Sequence, residues 1–215
     1  MPLAKVQLAR SIWLFDVSEL NPFGANFEPL YNVIIQRYGF TGLPKPEDAV
    51  TGSSKYGSGK FLFGEQIIDV SLEIHSDGLI ADTRHSTDAS DIFLQDLLTL
   101  TGDHFHVKYP PRMAKKRAYR SELIVYADRG MEGLCEKLDR FAKILSSLTS
   151  SKQELNAVVF GSESKNSAFT FERKINAPFE ENRFYSAALM PSGDHLALLY
   201  KFEDLLKSPG RAPSA

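Results

Sequence analysis

Hydrophobic periodicity in the first half of the chain predicts strands and helices in a defined order. Residues 68–75 alternate strictly between apolar and polar side chains, which is typical of a strand with one buried face. The turn signal at residues 76–78 follows, so the next strand folds back as a hairpin. The predicted elements of this half are a strand within residues 6–17, a helix over 27–38 capped by Asn26 and ended by Gly39, strands at 68–75 and 79–83, and a helix from Thr87 or Ser90 to Thr101 ended by Gly102.

The second half contains the longest amphipathic stripe of the chain. Apolar residues recur at helical spacing from Met131 to Leu148 and predict a helix whose apolar face packs into the core, with Cys135 on it as a small core residue. The other predicted elements are strands at 123–127, 157–160, 169–175 and 184–189, and a last helix that begins at Ser192. Residues 41–59, rich in Gly, Pro and Ser, predict a long surface loop.

The two halves share one order of elements: a strand, a helix, two or three strands and a helix. Two short sequence matches occur at a nearly constant offset, Arg10-Ser11 with Arg120-Ser121 and Asp96-Leu97-Leu98 with Asp204-Leu205-Leu206. The repeat predicts an internal duplication.

The fold class that follows is α+β, with two similar halves built from antiparallel sheets with helices on one face. The predicted organisation is a first half at residues 1–107, a basic bridge at 108–120, a second half at 121–207 and a disordered tail at 208–215. The pattern leaves open whether the halves join into one continuous sheet or pack as separate units.

The amino-acid composition is that of an ordinary globular protein and excludes several other classes. The 215 residues carry 25 Lys and Arg against 27 Asp and Glu, and 43% of them are hydrophobic. These values exclude a disordered chain and a polycation. The single cysteine excludes an internal disulfide and a Cys-rich zinc site. Residues 1–15 have too short an apolar run for a signal peptide or a membrane span, so we expect a soluble cytoplasmic protein without membrane contact.

Acidic and histidine residues cluster between a predicted strand and a predicted helix. Segment 82–91 contains Asp82, His85, Asp88 and Asp91, which could bind a divalent cation or act as acid and base. Their spacing matches no calcium loop, and Ser, Thr and Asp are also the residues that cap helices. We therefore favour helix capping, and we assign no catalytic residue, metal or cofactor.

The bridge is the most basic stretch of the chain. It contains six basic residues and no acidic one: Lys108, Arg112, Lys115, Lys116, Arg117 and Arg120. Together with Tyr109 and Tyr119, they could bind a nucleic-acid strand by neutralising phosphates and stacking on bases. The helix before the bridge is acidic, so we favour the alternative that the bridge pairs with this helix or is solvated.

A loop of the second half has the composition of a protein interface. Residues 176–185 place aromatic side chains and an arginine around Pro178. We predict a partner contact through Phe179, Arg183, Phe184 and Tyr185, because aromatic residues and arginine are typical interface anchors. The same aromatics would equally suit the wall of the core.

The chain contains no phosphate loop, nucleophile elbow, zinc-protease motif or dinucleotide fingerprint, and its motifs resemble no family that we recognise. The sequence therefore favours a non-enzymatic interaction or assembly module, a subunit of an intracellular complex with a protein partner. A nucleic-acid-binding accessory protein is the alternative, and a metal-dependent hydrolase that uses segment 82–91 is the third hypothesis. The oligomeric state is left open.

Overall fold

The computed structural model describes residues 1–20, 28–45, 53–106, 114, 116–163 and 165–207. The strands within these residues are β1 Leu3–Leu14, β2 Ser53–Phe63, β3 Gln66–His75, β4 Gly78–Thr83, β5 Lys116–Tyr126, β6 Ala157–Ser162, β7 Lys165–Arg173 and β8 Arg183–Ala188. The helices are α1 Glu28–Tyr38, α2 Thr87–Phe105, α3 Glu136–Thr149 and α4 Ser192–Lys207. The strands form one antiparallel sheet in the order β2-β3-β4-β1-β5-β8-β7-β6, so the protein has a mixed α and β fold.

The chain divides into two compact units. Unit 1 consists of Met1–Gln7, Glu122–Leu189 and Gly193–Ala215, and unit 2 consists of Leu8–Ser121 and Met190–Ser192.

Unit 2 has a core that the alternation of its strands predicts. One row of buried side chains crosses its four strands, with Tyr56 opposite Leu72, Leu72 opposite Ala81, and Ala81 opposite Ser11. This register confirms the predicted hairpin of β3 and β4. Helices α1 and α2 both contribute to the same cluster through apolar side chains at helical spacing, namely Leu30, Ile34 and Tyr38 on α1 and Ala89, Phe93, Leu94, Leu97 and Leu98 on α2.

Phenylalanines on β7, β8 and α4 form part of the core of unit 1. The rings of Phe171 and Phe184 stack at 4.5 Å between centroids, and Phe202 of α4 meets Phe171 edge-on at 4.9 Å. Such offset and edge-to-face pairs are the favourable arrangements of aromatic rings. Helix α4 therefore covers β7 and β8, as its apolar spacing predicts.

Several sequence-based boundaries are wrong: β5 already begins at Lys116 within the predicted bridge, and α3 begins at Glu136 and not at Met131. Residues 53–59 belong to β2 and not to a loop, because Tyr56 is buried and Gly57 pairs with Gly42 through two backbone hydrogen bonds. Helix α2 does not end at Gly102 but continues to Phe105, where His106 adopts the left-handed conformation and donates its backbone N–H to the last turn. Asn26, residues 46–52 and the tail 208–215 lie outside the described residues.

Candidate interaction surface

Helix α3 has the local sequence of a stable helix. Acidic Glu136 and Asp139 occupy its first turn, where they complement the helix dipole. The carboxylate of Asp139 also accepts a hydrogen bond from the backbone N–H of Gly133 at 2.8 Å. The helix ends at Ser150, which has the left-handed φ of 55°.

The apolar face of α3 is exposed. No residue of this helix is buried, and the exposed fractions are 46% for Leu138, 56% for Phe141, 55% for Ile144 and 76% for Leu148. The prediction that this face packs into the core is therefore wrong, and Cys135 is half-buried rather than a core residue. We call Leu138, Phe141, Ile144 and Leu148 the α3 apolar face.

Strand β6 adds a second exposed apolar feature to unit 1. It is the last strand of the sheet, and it is uncharged over residues 157–162. Val159 and Phe160 are both more than half exposed, although Phe160 lies opposite the core residue Phe169. An exposed, uncharged and β-branched edge strand is a surface that proteins usually cover.

Unit 1 also contains a charged cluster around Arg173, whose side chain is buried together with that of Glu154. Its guanidinium forms an ion pair with Glu154, donates a hydrogen bond to the Phe179 carbonyl at 3.1 Å, and lies 4.9 Å from the centre of the Phe179 ring. Lys152 contacts both Glu132 and Glu154, and its hydrogen bonds to these carboxylates raise the pKa of its ammonium group. These ion pairs hold the four side chains together, so the cluster serves as a structural support of unit 1.

The structure places the predicted interface residues at different depths. Phe184 is fully buried and stacked on Phe171, which fits the alternative that it forms the wall of the core. Phe179 is just over a third exposed, Tyr185 is half-buried, and the Arg183 guanidinium lies 5.7 Å from the Tyr126 ring centre. The exposed part of Phe179 is thus the part of this loop that is available to a partner, and the partner contact itself stays a prediction.

The acidic segment does not form one constellation. Asp82 accepts two hydrogen bonds of 2.7 Å from Arg10, and Asp91 accepts hydrogen bonds from Trp13 and Tyr119. Asp88 lies exposed in the first turn of α2, and the His85 ring packs edge-on against Phe63. Within the described residues, no three His, Cys, Asp or Glu side chains are placed to hold a metal ion.

Helix α2 is capped one residue earlier than predicted. The Ser86 side chain accepts a hydrogen bond from the backbone N–H of Ala89 at 3.1 Å, which satisfies one of the free donors of the first turn. Thr87 instead accepts and donates toward Ser192: its backbone N–H reaches the Ser192 oxygen at 3.1 Å, and the Ser192 backbone N–H reaches Oγ1 of Thr87 at 3.0 Å. The starts of α2 and α4 therefore share a reciprocal hydrogen-bond pair.

The described part of the basic bridge contacts the acidic helix. The Arg117 guanidinium lies 4.1 Å from the Trp13 ring centre and 3.8 Å from Asp91, and Tyr119 donates a hydrogen bond to the same carboxylate. Burial and the hydrogen bond to Asp91 raise the pKa of Tyr119. Both groups are thus engaged within unit 2, as the solvated or paired alternative expects. Lys116 and Arg120 are exposed, whereas Lys108, Arg112 and Lys115 lie outside the described residues.

Unit 2 also has an open cavity of about 520 Å³ beside the helices. Three of its polar groups contact one another, since Arg37 pairs with Asp96 at 2.9 Å and Tyr38 donates to Asp96 at 2.8 Å. Burial is the main cause that raises the pKa of Tyr38 far above its ordinary value, so the phenol stays neutral. The contacts of Arg37 and Tyr38 with Asp96 join α1 to α2.

Neither kind of sequence comparison gives a relative: no model of a known protein family matches the chain, and no curated protein sequence matches it. None of the described helices is both long and apolar enough to cross a membrane.

The α3 apolar face is the functional candidate that periodicity alone misassigned. A signal for it exists in the sequence, because Leu134, Leu138, Phe141, Leu145 and Leu148 follow steps of four and three residues. Ala142 and Ile144 add apolar positions beside this row, so the spacing predicts a broad face that must be covered but does not tell which molecule covers it.

Proposed function

We propose that this chain is a protein-interaction module that acts as a subunit of an intracellular complex and binds its partner through the α3 apolar face. The observation that carries the proposal is that α3 has no buried residue while four large apolar side chains on one side of it are exposed.

Leaving this face in water is costly, which is why it favours a partner. Burial of apolar surface contributes roughly 25 cal/mol per Å², so one fully buried Leu or Phe side chain is worth about 1.5–3 kcal/mol. Single exposed apolar residues are common on any surface, but a contiguous row marks a contact site. An amphipathic helix that presents such a row is a standard element of protein recognition.

The remaining details of the proposal follow from the chain itself. The single cysteine, which is free, suits a reducing compartment, and we place the complex in the cytoplasm. The exposed part of Phe179, with Arg183 and Tyr185, offers an additional contact at the same unit. The nucleic-acid and hydrolase hypotheses have weaker support, because Arg117, Asp82 and Asp91 are engaged in contacts within unit 2.

We further propose that the chain arose by internal duplication. Each half contains a strand, a helix, three strands and a helix in that order. At an offset of 105 residues, most buried positions of α2 align with buried positions of α4, although Ala89 and Phe93 do not. The aligned buried pairs are Thr87 and Ser192, Ser90 and His195, Leu94 and Leu199, Leu97 and Phe202, Leu98 and Glu203, and Thr101 and Leu206. The sequence match that aligns Leu97 with Leu205 does not correspond to the structure, since Leu97 is buried and Leu205 is exposed.

The proposed function is tested by the size of the native complex. Tagged protein is expressed in its own cytoplasm, and the lysate is fractionated by size under native conditions. We expect the protein to elute in a complex of defined stoichiometry. Phe141→Glu should release it, because a charge in the centre of the contact would be buried without a partner.

Lys143→Glu is the matched control, since this exposed side chain lies on the charged side of the same helix. It should leave the complex intact. Circular dichroism must show that both variants keep their helix content. If Phe141→Glu elutes with the same complex as the natural chain, the proposed function is wrong.

A further inference from the structure

We infer that the open cavity of unit 2 binds a small organic carboxylate with an apolar body. This site goes beyond the proposed function, because the cavity belongs to unit 2 whereas the α3 apolar face belongs to unit 1. Three properties of the cavity support the inference: its size and its walls, the hydrogen-bond donors of its cationic side chains, and the exposed apolar side chains that line the same space.

The cavity has the size of a small-molecule site. Its volume of about 520 Å³ lies within the range of about 300–1,000 Å³ that is typical of ligand pockets. The described residues that line it all belong to α1, β2 and α2, so none of them lies on a loop. Side chains on helices and strands are held in place more precisely than side chains on loops, which favours a preformed site.

Arg37 supplies a guanidinium group that is already oriented. Its Nε and Nη2 atoms donate to the two carboxylate oxygens of Asp96 at 2.9–3.2 Å. Within the described residues its Nη1 atom, which carries two further N–H groups, has no acceptor. The contact with Asp96 thus restrains the guanidinium while Nη1 stays available to a ligand, and a restrained donor binds at a lower entropic cost.

Lys60 and Gln95 add further donors to the same cavity. The Lys60 ammonium group forms an ion pair with Asp69 in which both side chains are 63% exposed. Such an exposed pair contributes little to stability, so the ammonium group can turn toward a ligand at a small cost. The side-chain amide of Gln95 has no hydrogen-bond partner in the part of the chain that the structure describes.

The charges of the lining favour a ligand with a single negative charge. Arg37 and Lys60 carry two positive charges and Asp96 carries one negative charge, so the lining has a net charge of +1. The hydrogen bonds from Arg37 and Tyr38 compensate the Asp96 carboxylate, which limits its repulsion of an anion. A carboxylate matches this charge, and its two oxygens can accept hydrogen bonds from Arg37 and Lys60 at once.

Two large apolar side chains favour a ligand that also has an apolar body. Leu62 on β2 is 64% exposed and Ile92 on α2 is 47% exposed, and both line the cavity. A ligand that covers them removes apolar surface from water, which is a favourable contribution to binding. The chemistry that fits the cavity is therefore an acid group linked to an aliphatic or aromatic group.

The first experiment titrates the ¹⁵N-labelled full chain with 3-phenylpropanoate as the probe and follows the backbone amide signals by NMR. We expect a dissociation constant of about 1–10 mM, as is usual for a ligand with so few atoms, and the largest shifts at the residues that line the cavity. The uncharged analogue 3-phenylpropanamide and the small anion acetate should each bind at least about fivefold more weakly, because each lacks one of the two recognised groups.

The second experiment assigns the binding to the cavity by substitution. Lys60→Met and Leu62→Ser should each weaken binding of the probe at least about threefold, since they remove a cation and an apolar contact. Lys55→Met is the matched control, because Lys55 is also an exposed lysine of β2 and also pairs with a carboxylate, that of Glu73 at 3.7 Å, but does not line the cavity. It should change the binding by less than about twofold.

Equal binding of the probe by the natural chain and by Lys60→Met would overturn the inference, provided that the amide spectrum shows both to be folded. The absence of shifts at about 50 mM probe, or shifts confined to residues outside the cavity, would overturn it as well. Phe141→Glu should bind the probe as the natural chain does, because α3 does not line the cavity. The inference and the proposed function can therefore fail independently of each other.

Discussion

Helices α1 and α3 follow the first strand of their halves in the same way, yet only α1 is covered by the rest of its unit. Leu30, Ile34 and Tyr38 of α1 are each at most 3% exposed. On α3, which has the stronger separation of apolar and polar sides, Phe141 and Ile144 are more than half exposed.

The difference lies in the strand that follows each helix in the chain. Strand β2 has 11 residues. Together with Phe40 it provides an aromatic surface beside α1, in which the ring centroids of Tyr56 and Phe40 are 5.5 Å apart. Strand β6 has six residues, and its core-side Phe160 is itself exposed. Amphipathic spacing thus predicts that a helix face must be covered. Whether the same chain covers it depends on the length and the side chains of the neighbouring strands.

The difference between α1 and α3 is tested most directly by the same substitution on both helices. Ile34→Glu should cost about 4 kcal/mol or more of the free energy of unfolding, because it buries a carboxylate among apolar side chains. Ile144→Glu should change it by no more than about 0.5 kcal/mol, since this side chain is exposed in the monomer. Urea unfolding followed by circular dichroism measures both values.

The protein must be dilute in this measurement, at about 1 μM, so that association through α3 does not add to stability. Ile34→Val serves as the conservative control and should cost about 0.5–1.5 kcal/mol. Equal losses for the two glutamate variants would show that α3 is packed into its unit after all.

Truncation of equivalent residues of α2 and α4 tests whether the two halves of the chain correspond. Leu94→Ala and Leu199→Ala should each cost about 2–5 kcal/mol, because both side chains are fully buried. Leu205→Ala should cost no more than about 0.5 kcal/mol, since Leu205 is exposed. A large loss for Leu205→Ala with a small one for Leu199→Ala would contradict the register on which the duplication is proposed.

Strand β3 and helix α4 could be predicted from the sequence because their own periodicity is regular. Strand β2 was missed as a whole. Gly57 and Gly59 lower its strand propensity, and its register shifts between Tyr56 and Gly59. A bulge interrupts the alternation on which strand prediction depends. The local sequence pattern therefore failed to predict this strand, because its pairing with β3 and not its own periodicity determines its conformation.

The surroundings of Arg173 could not be predicted for a different reason. Its partners Glu154 and Phe179 are neighbours only once β7 and the flanking loops have folded. The α3 apolar face could be located from spacing but not assigned, since spacing carries no information about which molecule supplies the cover. In both cases the sequence indicates the type of residue and its place on an element, but not the residue or molecule that it contacts.

An effect that appears only at acid pH distinguishes the aligned positions Ser90 and His195, of which only His195 can titrate. His195 is fully buried, and its ring lies 2.9 Å from the Ser186 hydroxyl, which itself hydrogen-bonds to the Thr170 carbonyl. Burial lowers the pKa of His195 to about 4, so the ring is neutral in the folded protein at neutral pH.

The sign of the pH dependence follows from this lowered pKa. The unfolded chain binds a proton at this residue below a pKa of about 6.5, while the folded chain does so only near 4. The stabilising contribution of neutral His195 is therefore complete above about pH 6.5 and is lost as the pH falls toward 4, by about 3 kcal/mol in all. His195→Gln cannot titrate and should lose that much less stability over the same range, as urea unfolding at a series of pH values will measure. Ser90→Ala is the control on α2 and should leave the pH dependence as it is in the natural chain. If His195→Gln has the same pH dependence as the natural chain, the acid sensitivity comes from the carboxylates and not from this buried ring.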